Sequence, residues 1–222
     1  MTKEDILEIV NKEGLFQYNI FGDHQQKANE VIIKQENNQF IVFRTDENNI
    51  IIGNELLFSN ENEAIENFKK QLHELKKLYL SAFIGKNYIE YYKEKYKIRP
   101  MKKIFVSWNW PPFFIGYGWL IYRKLYIEAT IVFSFLILSG IVLSIFNLDN
   151  YLKDIYSCIK ILIALFGTSI YYLKINRIIN KLKNINNINH IQYLNKHGGT
   201  NIIIAIIFEL LITGIAVLPL FL

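Results

Sequence analysis

The chain has 222 residues, enough for one or two domains; 51% are hydrophobic and the formal net charge is +5. Residues 1–90 carry ten Lys+Arg against fifteen Asp+Glu, and residues 91–222 carry fifteen against five, so an acidic soluble part precedes a basic, apolar part. The basic residues flank apolar runs, which argues against a nucleic-acid partner, and a lone Cys158 excludes an internal disulfide.

The N-terminus, MTKEDILEIVNKEG, has neither the basic region nor the apolar run of a signal peptide, so the first ninety residues are expected to stay cytoplasmic. Thr2 and Asp5 have capping-box spacing, and Ile6, Ile9 and Val10 follow at helical intervals. They predict a helix over about residues 3–12, ended near Gly14. Short β-rich runs follow at Leu15–Phe21, Glu30–Lys34, Phe40–Arg44 and Ile50–Ile52, with Leu56–Phe58 as a further piece. Asn37-Asn38 and Asn48-Asn49 punctuate them as turns. Asn60 and Glu63 form a second capping-box pattern, and Ala64, Phe68, Leu72, Leu75 and Tyr79 draw one apolar helical face. Helix, antiparallel meander, helix is an α+β domain, expected over residues 1–82.

No enzyme motif stands out in this part, and no catalytic residue is assigned. His24, His73, His190 and His197 are scattered, so neither a metal site nor a cofactor is expected. The Asp46-Glu47 pair reads more readily as a solvated turn than as a catalytic pair. The run YNIFG, then NEVIIKQENNQFIVFRTDENNIII, then SNENEAIENFKKQL resembles the bacterial immunity protein 59 family over about residues 5–75. That resemblance implies a small module that binds and neutralises a toxin; Asp46, Glu47, Glu61 and Glu63 are the candidate acidic contact residues.

Residues 83–222 read as an all-α membrane domain. Tyr88, Tyr91, Tyr92 and Tyr96 recur at helical spacing among lysines, which suits either a basic amphipathic helix on an anionic leaflet or a solvated linker helix. Three apolar segments approach the roughly 20 residues that cross hydrocarbon, at about 126–148, 155–173 and 202–222. Lys93, Lys95, Lys97, Arg99, Lys102, Lys103, Arg123 and Lys124 precede the first, and Lys174, Arg177, Lys181, Lys183 and Lys196 lie between the second and third. The positive-inside rule then predicts N-terminus in, Asp149 loop out, Lys183 loop in and C-terminus out. The chain is thus expected to be a multi-pass protein of the cytoplasmic membrane, with the lipid bilayer as one partner and a homo-oligomer left open.

SWNWPPFFIGYGWLIYRKLY, residues 107–126, has cations on both sides and Pro111-Pro112 near its front. One unbroken helix is excluded by the prolines, and a single crossing would place a cationic cluster outside. With Trp108, Trp110, Tyr117, Trp119 and Tyr122 among its residues, it reads as a re-entrant or interfacial element, part of an interfacial stretch over 86–124, with a single crossing, which would put the C-terminus inside, as the alternative. FIGKNYIEYY, the NW-x-x-FF-x-G-x-x-W-L-x-YRK core and the later NKHGGTN resemble the bacterial membrane family domain-of-unknown-function 2628 over residues 83 to about 205. Asn109, Trp110, Phe113, Phe114, Gly116, Trp119, Tyr122, Arg123 and Lys124 carry that resemblance. It implies an inner-membrane location and supplies no catalytic residue.

Glu209 falls about 10 Å into the third span, where a carboxyl is neutral or paired. Arg123 or Lys124 are its candidate partners, and its role is read as a structural hydrogen bond or lock ahead of a proton or ion site. The function expected is a non-catalytic, membrane-anchored immunity protein. A membrane adaptor or regulator with a cytosolic sensor domain is the alternative, and a small transporter is the weakest reading.

Overall fold

The computed structural model describes residues 3–86, 88–96, 103–183, 185 and 188–217, with side chains except at 89, 90, 209 and 211–217. Thr2, Lys97, Arg99, Lys102, residues 218–222 of the expected third span, and the side chain of Glu209 lie outside the described residues. The chain divides into two compact units. Unit 1 is Met1–Lys103 with Leu173–Gly198, and unit 2 is Ile104–Tyr172 with Gly199–Leu222.

Unit 1 is mixed α+β. Helix α1, Lys3–Glu13, buries Ile6 and Val10, and Gly14 follows it at a φ of 61°. Strands β1 (Tyr18–Ile20), β2 (Val31–Glu36), β3 (Gln39–Thr45) and β4 (Ile51–Phe58) form one sheet in that order. Asn37 and Asn38, at φ 49° and 63°, make the tight turn between β2 and β3, where a primed turn matches strand twist. The sheet is not wholly antiparallel as the sequence predicts, because β1 pairs with β2 in parallel. Parallel neighbours need a crossover, which residues 21–30 supply. That crossover is pinned by Asn19 Nδ2 donating to the His24 carbonyl at 2.7 Å and by His24, whose Nδ1 and Nε2 lie 2.7 and 2.8 Å from Asp23 and Glu30.

Helix α2, Glu61–Ile84, packs on β2, β3 and β4 and buries Ala64, Phe68, Leu72, Leu75 and Tyr79, the face its sequence predicts. Asn60 caps it, accepting from the Asn62 backbone N–H at 2.8 Å. β2 and β3 are buried on both faces: Val31, Ile33 and Val42 on one row, Ile32, Ile41 and Phe43 on the other. Next come a π-helical turn, Tyr88–Tyr92, and α3, Lys93–Tyr96, in which Tyr88, Tyr92 and Tyr96 are buried.

Unit 2 opens with an extended segment, 104–109, then two short helices, α4 (Trp110–Ile115) and α5 (Gly118–Tyr122). Pro111 and Pro112 sit in the first turn of α4, where a missing N–H costs nothing. Helix α6 is Tyr126–Ile145, and α7 is Leu152–Leu182, of which residues 152–172 belong to unit 2. Helix α8, His190–His197, belongs to unit 1, and α9, Ile202–Val217, to unit 2. Among the described residues two segments are long and apolar enough to cross a membrane, Tyr126–Ile145 and Asp149–Leu182. The sequence predicts three. In α9 the described helix has 16 residues, short of the roughly 20 that span hydrocarbon.

Candidate functional site

In unit 1 the unusual surface is β4. It is an edge strand, and no other strand pairs with its outer side among the described residues. Its inner side pairs with β3 through Ile51↔Thr45, Ile52↔Arg44, Leu56↔Val42 and Leu57↔Ile41, with a register shift in between. Gly53, at φ +73°, lies in that irregular stretch, and the left-handed conformation favours glycine there. Ile50, Ile51, Ile52, Leu56 and Leu57 are 39–62% exposed. Edge strands usually carry charge or are covered, so these exposed apolar side chains make β4 the candidate surface of unit 1.

The acidic residues singled out in the sequence have separate places. Asp46 Oδ1 accepts from the backbone N–H of Asn48 at 2.9 Å and Ile50 at 2.8 Å, so its carboxylate organises the β3–β4 turn. Glu47 accepts from Asn189 Nδ2 at 3.3 Å. Glu61 and Glu63 occupy the first turn of α2, where negative charge complements the helix dipole. Glu61 also borders a depression of about 720 Å³ with Phe21, Lys34 and Phe40. Among the described residues no three His, Cys, Asp or Glu side chains form a metal-holding group.

The sequence reading missed α8 as a part of this unit. His190 is buried, and its Nδ1 receives the Tyr79 hydroxyl at 2.6 Å and Gln17 Nε2 at 3.3 Å. Two donors at Nδ1 leave the proton on Nε2, which lies 3.4 Å from the Ile185 carbonyl. Burial holds the His190 ring below the ordinary histidine range and pushes the Tyr79 hydroxyl up. Gly198 closes the attachment: a Cβ there would collide with the Phe83 carbonyl oxygen. The available signal was an amphipathic HIQYL run between Asn189 and Gly198-Gly199, the cap residues of a short helix. Nearby, the buried Lys76 ammonium donates to the Glu13 carbonyl at 2.6 Å, and burial pulls it down to about 8.

In unit 2 the motif residues Asn109, Gly116, Trp119 and Arg123 lie against α7. Phe105 N–H donates to Ser169 Oγ at 3.1 Å, Ser107 N–H to the Leu165 carbonyl at 3.0 Å, and Asn109 Nδ2 to Thr168 Oγ1 at 3.2 Å. The buried Trp119 ring lies against Gly167, where a Cβ would meet it at 2.9 Å, and 6.4 Å from the Tyr171 ring. Arg123 is buried with its guanidinium 5.3 Å from the Tyr122 ring and 5.2 Å from that of Tyr171, a cation–π arrangement. Trp110 and Phe114 stack at 6.0 Å, Phe113 joins them, and Trp110 and Phe114 face outward. Lys124 takes φ 58° at the turn into α6.

A family model described as "Protein of unknown function (DUF2628)" matches residues 33–177, which is 145 of the 222 residues. The match starts inside β2 and ends within α7, so it reaches further into the sheet and less far towards the C-terminus than the sequence resemblance predicts. No curated protein and no solved structure matches the chain.

Proposed function

The chain belongs to the DUF2628 family of proteins of unknown function, and from that premise we propose that it is a membrane-anchored, non-catalytic protein that binds a partner protein along β4. The observation that carries this reading is the bare apolar edge, Ile50 to Leu57. An extended segment with apolar side chains would pair with the strand's free backbone groups and cover its side chains. A basic segment suits it best, because residues 1–90 carry five more acids than bases. The sharpest version makes the partner a bacterial toxin domain, neutralised at the membrane. The second version is an adaptor that recruits a resident membrane or signalling protein.

The membrane part of the reading has α6, α7 and α9 as three spans in a bacterial cytoplasmic membrane, N-terminus inside, with residues 107–124 re-entrant or interfacial. It is supported by Asn201, which caps α9, donating its backbone N–H to the Tyr122 carbonyl at 2.9 Å and its side chain to Tyr126 Oη at 3.4 Å. The starts of α6 and α9 are therefore side by side, next to Arg123-Lys124.

Growth of cells making a toxin encoded beside this gene tests the function. Rescue by the wild-type chain and failure of Leu57→Lys is the expected result. No rescue, with a resident protein still retained on the full-length chain, would replace immunity by the adaptor version. Equal retention of the partner by Leu57→Lys would remove β4 from both.

A further inference from the structure

The path of residues 104–124 can be read against three helices of unit 2. Its two ends lie at one level. Phe105 N–H is bonded to Ser169, Arg123 stacks near Tyr171, and the Tyr122 carbonyl meets Asn201 at the start of α9. Its turn, Gly116-Tyr117, lies at another level. The Tyr117 ring is 6.5 Å from that of Phe133 and 5.8 Å from that of Phe208. Phe133 is seven residues beyond Tyr126 in α6, and Phe208 seven beyond Asn201 in α9, so each lies about 10 Å along its helix. A Cβ on Gly116 would come 2.9 Å from Tyr156 Oη and 3.3 Å from Lys160 Cγ. Lys160 is eleven residues from Tyr171, about 16 Å along α7.

The three helices agree that the chain descends, turns at Gly116-Tyr117 and returns. The descending limb, α4, carries Trp110 at 57%, Phe114 at 68% and Ile115 at 49% exposure. The first two turns of α6 cover the same depth and are themselves apolar and outward facing at Ile127 and Ile131. Outward apolar side chains on both elements at this depth are matched by hydrocarbon and not by headgroups. Trp and Tyr favour the interface, but Phe and Ile do not need it.

We infer that residues 104–124 form a re-entrant hairpin whose outer limb docks into the acyl chains of the bilayer, with Gly116-Tyr117 at its deepest point and Arg123-Lys124 back at the headgroups. The inference rests on the membrane reading of α6, α7 and α9. Backbone inside the bilayer must bond within the protein. The Gly116 N–H donates to the Pro112 carbonyl at 2.8 Å and the Trp119 N–H to the Gly116 carbonyl at 3.2 Å, which meets that demand at the turn.

The test uses the full chain with Cys158→Ser in sealed phospholipid vesicles. Lys103→Cys and Lys124→Cys are labelled with a maleimide that cannot cross the bilayer, and Phe114→Cys carries a nitroxide read against oxygen and a water-soluble nickel complex. Labelling of 103 and 124 from the same face, with loss of nickel-complex collisions at 114, is expected. Labelling from opposite faces means a single crossing and overturns the hairpin. Same-face labelling with position 114 open to the nickel complex means a flat interfacial element and also overturns it. If position 114 and a nitroxide at Leu138→Cys in α6 both meet the nickel complex, the membrane reading itself has failed. Should Phe114→Cys fold poorly, Ile115→Cys on the same limb gives the same readout.

Discussion

β4 in unit 1 and α6 in unit 2 are both bare and apolar, and they do not mean the same thing. Ile51, Ile52 and Leu57 on the strand are as open as many side chains of the helix. The difference lies in the backbone. α6 bonds its N–H and C=O groups within itself, so its surface asks for nothing but apolar surroundings. β4 is paired on one side only and carries Asn54 and Glu55 between its apolar pairs. An open strand edge is not tolerated against lipid, but in water it recruits another strand. Exposure by itself therefore does not name the occupant, and the accounting of backbone hydrogen bonds does.

The strongest way to break this comparison is to place the same kind of charge on both surfaces. Leu138→Arg, midway along α6, is expected to cost about 2.5–3.5 kcal/mol of membrane insertion, seen as loss of the chain from the membrane fraction. Leu57→Lys should change stability by about 0.5 kcal/mol or less and leave fractionation alone while abolishing partner retention. If both variants lose the membrane, β4 faces lipid and the distinction falls.

A smaller effect sharpens unit 1. Gly198→Ala drives a Cβ towards the Phe83 carbonyl and should cost about 1–3 kcal/mol, read as a lower denaturation midpoint. In unit 2, Gly167→Ala pushes on the Trp119 ring, whereas Gly140→Ala on α6 meets nothing within 4 Å. The first is expected to shift tryptophan emission and lower thermal stability by about 1 kcal/mol, and the second to be silent. A silent Gly167→Ala would mean that the hairpin is not held against α7.

The smallest effect is one of pH. His190 has its folded value depressed by burial, so it contributes stability that is present above its ordinary value of 6.5 and is lost as pH falls through the lower folded value. Thermal unfolding at pH 7.5 and 5.5 should show unit 1 weakening on acidification, and His190→Gln should remove that component of the slope. An unchanged slope would assign the acid sensitivity to other groups.

Much of unit 1 was legible because its signals are local. The α2 stripe from Ala64 to Tyr79 is buried as its spacing predicts, and the Asn37-Asn38 turn is where the sequence puts it. The parallel pairing of β1 was not, because a three-residue strand has no periodicity of its own and the crossover that turns it is fixed by His24, Asp23 and Glu30. The membership of α8 in unit 1 was hidden for another reason: Tyr79 and His190 are 111 positions apart, and nothing in either stretch names the other. Asp46 shows the limit of reading acids as contact residues, since its carboxylate is committed to the turn. In unit 2 the break at Pro111-Pro112 and the start of α6 followed from residue type, while the descent to Gly116 needed the neighbouring helices to measure it.

The contribution of α8 to unit 1 also sets an order of events during synthesis. Tyr79 and Gln17 are made early, but the ring that accepts from both is at position 190. At about 5–20 residues per second, the 111 positions from Tyr79 to His190 take roughly 5–20 s to translate. Throughout that interval α2 and the sheet lack their closing helix while α6 and α7 are emerging. Unit 1 thus contains the first part of the chain to be made, yet it stays incomplete until α8 has followed most of unit 2 out of the ribosome.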